Sequence, residues 1–456
     1  MNKLAKRAWF AMVLAGALLL GMAVVIVRYM VSAPDWVTFQ SSPHVYSNGV
    51  MNSGVITDRS GTVVLNATSG RSYAESESVR KAMLHLLGDR EGNITPFLLN
   101  EYGAELVGFD RLNGTYSTTD ESAVMKLTIS ADVQKAAYAA LDGRKGTVGV
   151  YNYKTGEILC AVSSPSFDPD NVPDIAGNPD TYDGAYYSRF LYAKYAPGSV
   201  FKVLTAAAAL EEIDDISART FTCTGSIEIA GETLVCNGVH GTVTFEQALA
   251  QSCNCAFAEI AGELGANTLT KYARRSGVAE QLHFDGVNTA AGSFDLSKAG
   301  KYETAWAAIG QYNDQINPCS YMVFMGAIAN GGKAAEPYFV EKITRGNSSK
   351  YEASTEMTGR MIEKDTAAAL AEMMHYAVEN VYGTWNFAGL DACAKSGTAE
   401  VGEGKQPNAV FTGFVRNSQY PLAFIVVVEN GGSGSAVCTP IISRVLSTCI
   451  VAMDSD

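Results

Sequence analysis

The strongest pattern in the chain is an apolar run without a polar break. Residues 9–27, WFAMVLAGALLLGMAVVIV, carry no charge, and Lys3, Lys6 and Arg7 stand just before them. Nineteen helical residues rise about 28 Å, close to the roughly 30 Å of a bilayer's hydrocarbon layer. The run predicts a membrane-spanning helix whose basic end stays in the cytoplasm, with everything after Arg28 outside. The alternative is a signal peptide cleaved after Ser32-Ala33, but the apolar region of a signal is usually shorter than this.

Beyond that run the pattern is mixed. GVITDRSGTVVL predicts a hairpin turning at Asp58-Arg59-Ser60-Gly61. SESVRKAMLHLLGD, from Ser76, predicts a capped amphipathic helix. Residues 34–125 thus form a small α+β module, a pedestal holding something off the membrane. From 126 the apolar spacing strengthens. ISADVQKAAYAALDG predicts a helix capped by Ser130 and ended by glycine, and GTVGVYNYKTGEILCAVSS predicts two strands about Lys154-Thr155-Gly156. A helical, loop-rich middle runs from about 185 to 385. The chain closes with strand-like NAVFTGFV and LAFIVVVEN, then the helix PIISRVLSTCIVAM. Strands at both ends of a helical insert imply one sheet with helices packed on it. The expected class is α+β: a short tail and anchor in 1–33, the pedestal in 34–125, and the sheet-and-helix domain in 126–456.

A length of 456 residues is too much for one compact core and agrees with this division. The net charge of −13 argues against a nucleic-acid partner. The five histidines, His44, His85, His240, His283 and His375, are scattered. No HExxH or Cys-x-x-Cys spacing occurs to hold a metal. All nine cysteines follow the apolar run, and an odd count leaves at least one thiol free. Cys223 and Cys236 flank CTGSIEIAGETLVC, two short strands about an Ala-Gly-Glu turn; a disulfide or a pair of buried thiols fits equally. Cys253 and Cys255, two apart on an expected helix, point apart and do not readily bridge.

The chemistry concentrates in YAPGSVFKVLTAAAALEE, residues 195–212. Pro197-Gly198 makes a sharp entry, so Ser199 falls in the first turn, where free N–H groups and the positive end of the helix dipole stabilise an oxyanion. Lys202 follows one turn later on the same face, among apolar neighbours that strip it of water and lower its pKa. A neutral amine beside a hydroxyl makes a nucleophile without a histidine. The bland alternative is a lysine that snorkels out of a core helix. Ser-x-x-Lys recurs at Ser78 and Lys81, on a charged helix where the lysine is solvated.

Two further groups bear on the choice. Ser252-Cys253-Asn254 sets a hydroxyl and an amide in another apolar helical stretch, where buried polar groups need partners. Lys395, Ser396, Gly397 and Thr398, in CAKSGTAEVG, bring together a cation, two hydroxyls and a glycine suited to a carboxylate. Lys154-Thr155-Gly156 is a similar tripeptide but precedes Ser199 and is assigned to a strand turn.

PGSVFK, then SCN some fifty residues on, then KSGTAE, is similar to the ordered motifs of the penicillin-binding transpeptidases, and the chain is identified as a member of their class B, monofunctional branch. LTISADVQKAAYAAL, GEILCAVSSPSFDP, AAIGQYNDQINPCSYMVFMGAIANGG and VVVENGG resemble further segments of that family, and GVITDRSGTVVL resembles the opening of its pedestal. Ser396 stands where threonine is commoner. The pedestal is short and lacks the usual arginine, having Ser53-Gly54. The resemblance implies a serine β-lactamase/transpeptidase-like domain, an antiparallel sheet with helices on both faces. It implies that Ser199 attacks the penultimate D-alanine of a peptidoglycan stem peptide. Lys202 takes the proton, Ser252 relays it, and Asn254 orients Lys202 and the substrate amide. Lys395, Ser396 and Thr398 hold the terminal carboxylate. β-Lactams mimic D-Ala-D-Ala and acylate the same serine, and the resemblance implies that no metal or organic cofactor is needed. The implied partner is a membrane glycosyltransferase of the SEDS family. A D,D-carboxypeptidase, a β-lactamase or a silent scaffold of the cell-wall complex would carry related sequences.

Overall fold

The computed structural model describes residues 2–39, 42, 46–47, 50–51, 53–68, 70–110, 112–116, 121–387, 389–402 and 404–455. His44 lies outside them. The chain opens with one long helix, Asn2–Val37, whose Lys3–Ala33 stretch is long and apolar enough to cross a membrane. Its leucines, valines and Trp9 are exposed. The closing helix, Gly434–Asp454, has similar length and composition. It is instead a core helix, burying Cys438, Ile441, Ile442, Val445, Leu446 and Cys449.

That helix lies on a five-stranded antiparallel sheet. The order is Ile158–Ser164, Gly146–Asn152, Leu422–Val428, Asn408–Val415 and Ala392–Ala399. The two ends of the domain therefore meet in its centre, as the strand pattern implies. LAFIVVV is apolar throughout because both of its faces are covered. Ala423, Ile425 and Val427 face the core shared with Pro318–Ala329. Phe424, Val426 and Val428 face the core shared with Ala131–Leu141 and the closing helix. Each such Ile, Val or Phe contributes about 1.5–3 kcal/mol by leaving water.

Three local expectations shift. The helix from Ala131 is capped by Ser130 Oγ, which accepts from Val133 N at 3.4 Å, but it ends one residue early at Asp142 in the left-handed region. At Ser76 the hydroxyl bonds Ser78 Oγ at 2.9 Å rather than capping the backbone. The closing helix begins at Gly434, six residues before Pro440, because Ser433 Oγ caps it through Ala436 N. Pro440 is exposed, as is Ala436, so the carbonyl that its ring leaves without a donor is open to water.

A second, six-stranded sheet runs Ser348–Glu352, Val340–Arg345, Ala123–Leu127, Val55–Thr57, Val63–Asn66, Ser72–Tyr73. Val55–Thr57 and Ala123–Leu127 pair in parallel. The hairpin of residues 340–352 thus completes a sheet begun some 280 residues earlier, and the sheet is assembled from separated stretches. Asp58 ties it to the larger domain. One carboxylate oxygen accepts from Ser60 N, Ser60 Oγ and Thr62 N, closing the Asp58–Gly61 turn. The other accepts from Ala131 N at 3.0 Å, at the first turn of the helix Ala131–Leu141. The Arg59 N–H adds a bond to Ile129 O.

Asp58→Ala strands the buried Ala131 N–H and opens the turn, and should cost about 1–3 kcal/mol. Denaturant unfolding of the full chain in detergent measures it; an unchanged midpoint would show that the turn holds without the carboxylate.

Candidate active site

Ser199 sits in a 3-10 turn, Gly198–Phe201, that leads directly into the helix Lys202–Glu212. The turn is wedged against the edge strand Ala392–Ala399. Gly198 has φ +55°, and a Cβ there would stand 2.7 Å from Thr398 O. A Cβ on Gly397 would stand 2.6 Å from Pro197 O. The two backbones approach so closely because neither residue has a side chain. Tyr321 Oη donates to Val200 O at 2.7 Å and fixes the turn from beneath.

Lys202 is fully buried. Its Nζ donates to Asn254 Oδ1 at 2.6 Å and to Ser252 O at 2.7 Å. It also lies 3.1 Å from both Ser199 Oγ and Ser252 Oγ. The first two partners can only accept, so they take two N–H groups. A neutral amine has two N–H groups and one lone pair, which leaves the lone pair for the hydroxyls. Burial holds the Lys202 amine well below the usual lysine range, and the charge of Lys395 pushes the same way. The Phe257 ring centroid, 5.7 Å from Nζ, closes the remaining side.

Ser252-Cys253-Asn254 is not helical throughout, as the pattern implied. It forms the turn between Phe245–Ala250 and Asn254–Arg275. Ser252 has φ +58°, a conformation non-glycine residues seldom hold without constraint. That conformation aims both its carbonyl and its hydroxyl at Lys202. Asn254 Nδ2 donates to Val235 O at 2.9 Å, so the amide spans the lysine and a neighbouring hairpin.

A cleft of about 620 Å³ opens over these groups, and Ser199, Ser252, Asn254, Ser396 and Thr398 line it. Ser396 and Thr398 alternate along the edge strand and face the same side. Lys395 does not line the cleft. It is fully buried, its Nζ donates to Ser396 O at 2.9 Å, and burial alone lowers it to about 7. The structure therefore sets this cation behind the two hydroxyls, near enough to Lys202 to depress it. Gly434 N, at the start of the closing helix, donates to Thr398 Oγ1 at 3.3 Å.

Tyr382 was not legible beforehand. Its hydroxyl accepts from Ser396 N and bonds Ser396 Oγ, each at 3.0 Å. It ends a π-helical turn, Val378–Tyr382, with no motif to mark it. The two decoys behave as expected: Lys81 pairs with Glu77 on a surface helix, and Lys154-Thr155-Gly156 turns between strands, with Gly156 at φ +94°.

Residues 146–447 match the family described as the penicillin binding protein transpeptidase domain. The chain belongs to this transpeptidase family. Among curated relatives, the stage V sporulation protein D of Bacillus subtilis is 30% identical over 362 residues, covering 73% of this chain and 54% of the relative. The chain thus spans about half of that protein's length. The peptidoglycan D,D-transpeptidase PbpA of Mycolicibacterium smegmatis is 29% identical over 353 residues, covering 69% of this chain and 70% of the relative. The solved D,D-transpeptidase domain of a peptidoglycan glycosyltransferase from Eggerthella lenta superposes with TM-score 0.75 at 26% identity, covering 88% of this chain and 98% of its own. The imipenem acyl-enzyme complex of penicillin-binding protein A from M. tuberculosis gives 0.75 at 25%, covering 87% and 98%.

Within this transpeptidase fold, the low value for Lys395 has a consequence for stability. The unfolded chain carries that proton up to about pH 10, whereas the folded chain releases it from about pH 7. Between those values the unfolded state binds more protons, so stability rises with pH. Lys395→Met should flatten the rise measured by unfolding midpoints across that window. Parallel curves for the two proteins would contradict the burial of the amine.

Proposed function

We propose that the protein is a serine D,D-transpeptidase that cross-links peptidoglycan stem peptides ending in D-Ala-D-Ala. One observation carries this reading: the buried Lys202 amine, both of whose protons are engaged by carbonyl acceptors, stands equidistant from two hydroxyls.

That geometry supports the following roles. Ser199 Oγ attacks the carbonyl carbon of the penultimate D-alanine while its proton passes to Lys202 Nζ. Backbone N–H groups of Ser199 and Thr398 receive the developing oxyanion; the edge position of Ala392–Ala399 leaves alternate strand groups without a sheet partner. Ser252 Oγ passes a proton from Lys202 to the leaving nitrogen, so the peptide bond breaks and terminal D-alanine departs as a neutral amine. Asn254 orients Lys202 and bonds the substrate amide. Ser396 and Thr398 hydroxyls hold the terminal carboxylate, with Lys395 supplying positive charge from behind. The amine of a second stem peptide then attacks the acyl carbon, Ser199 recovers its proton, and a cross-link results. β-Lactams acylate Ser199 and remain.

The reading extends to the setting. The apolar N-terminal helix holds the chain in the cytoplasmic membrane with the cleft outside, and a SEDS-family glycosyltransferase supplies glycan strands. The family motifs support this through resemblance.

Fluorescent penicillin tests the nucleophile. Wild-type protein should label and Ser199→Ala should not; a labelled Ser199→Ala protein would overturn the assignment. Lys202→Met should retain its fold but acylate about 10²–10⁴-fold more slowly. Acylation of the wild type should also slow as pH falls through the depressed Lys202 value, because protonation removes the lone pair. Loss of label within seconds would instead mark a hydrolase, since water rather than an amine would be resolving the acyl group.

A further inference from the structure

We propose that Cys223, Cys236, His240 and Cys253 form a zinc-binding site that fixes the Ser252-Cys253-Asn254 turn. The thiol sulfurs and an imidazole nitrogen of these four residues all lie within 4.8 Å of one another. With Zn–S bonds of about 2.3 Å, the ligands of a tetrahedral site stand about 3.8 Å apart. Cys236 Sγ to His240 Nδ1 already measures 3.6 Å. A contraction of about 1 Å or less at the longest edge closes the tetrahedron. Three sulfurs and one nitrogen suit zinc, which four such ligands hold in structural sites.

The surroundings complete the case. All four thiols of the neighbourhood, Cys255 included, are free, and Cys223, Cys236 and Cys253 are buried. Asn254 N donates to Cys236 Sγ at 3.1 Å, the kind of outer contact that orients a ligating thiolate. His240 is less buried than the cysteines, which leaves a path for the ion to enter.

The ligands come from three separate pieces that meet in one hydrophobic core. Cys223 ends the strand Thr220–Cys223, which forms a two-stranded ribbon with Gly241–Thr244. Cys236 follows the two-stranded hairpin Ser226–Ile229 and Glu232–Val235. Cys253 caps the helix Asn254–Arg275. A two-stranded ribbon is marginal on its own, yet this hairpin forms a wall of the cleft through Thr233, Leu234 and Val235 and accepts a bond from Asn254. A metal joining the three pieces would hold that wall and brace Ser252 at its positive φ. Each thiol that binds gives up its proton to solvent. The spacing is invisible to a search for paired Cys-x-x-Cys motifs, because the ligands are 13, 4 and 13 residues apart.

The test uses the full chain in detergent, purified under reducing conditions without a polyhistidine tag. Elemental analysis should find about one zinc per chain, falling to background in Cys253→Ser and His240→Ala, while Cys449→Ser, remote in the closing helix, keeps it. Cobalt offered in place of zinc should give the wild type a thiolate charge-transfer band and tetrahedral d–d absorption. That readout needs no variant to fold. A wild type that stays metal-free when zinc is offered, a bound metal without the thiolate band, or metal retained by both ligand variants would overturn the site.

Discussion

Everything at the centre of this molecule follows from keeping one amine dry. Removing a charge from water without a partner costs several kcal/mol or more, and the usual response is to give up the proton. Lys202 is fully buried, and among the described residues no carboxylate bonds its amine. Its neighbours are a backbone carbonyl, an amide oxygen and two hydroxyls, a set that can accept N–H groups but brings no negative charge to offset an ammonium's. The buried Lys395 adds a further penalty against protonation. A group that is ordinarily an acid is thus made a base by its surroundings alone.

That requirement explains features that otherwise look unconnected. The 3-10 turn at Gly198–Phe201 brings Ser199 over the lysine, and it can do so because Gly198 and Gly397 let a helix entry and a strand touch. Ser252 accepts a left-handed backbone so that its carbonyl and hydroxyl reach the same nitrogen. The edge strand that carries Ser396 and Thr398 is held by a sheet whose strands come from opposite ends of the domain. The proposed metal would act on the same point, securing the turn that presents Ser252 and Asn254.

Much of this was legible in the residues. Ser199, Ser252, Asn254, Ser396 and Thr398 converge on one cleft, and the burial of Lys202 beneath them was readable from its apolar flanks. The central sheet was readable because its strands are apolar on both faces or alternate cleanly. Other features depend on contacts between distant segments, which no local pattern records. The hairpin at 340–352 joins Ala123–Leu127 across more than 200 residues. Lys395 turns inward because Ser396 and Thr398 take the cleft side of the strand. Tyr382 reaches Ser396 by a bond that depends on where a π-helical turn ends. The gathering of Cys223, Cys236, His240 and Cys253 is set by the packing of three elements, so their spacing carries no signature.

The protonation state of Lys202 at neutral pH is the most direct test of the account. Lysine carrying ¹³C at Cε and ¹⁵N at Nζ, with the resonance assigned by its loss in Lys202→Arg, reports it by NMR. The account predicts the shifts of a neutral amine at pH 7. An ammonium at that pH, titrating in the ordinary lysine range, would contradict it.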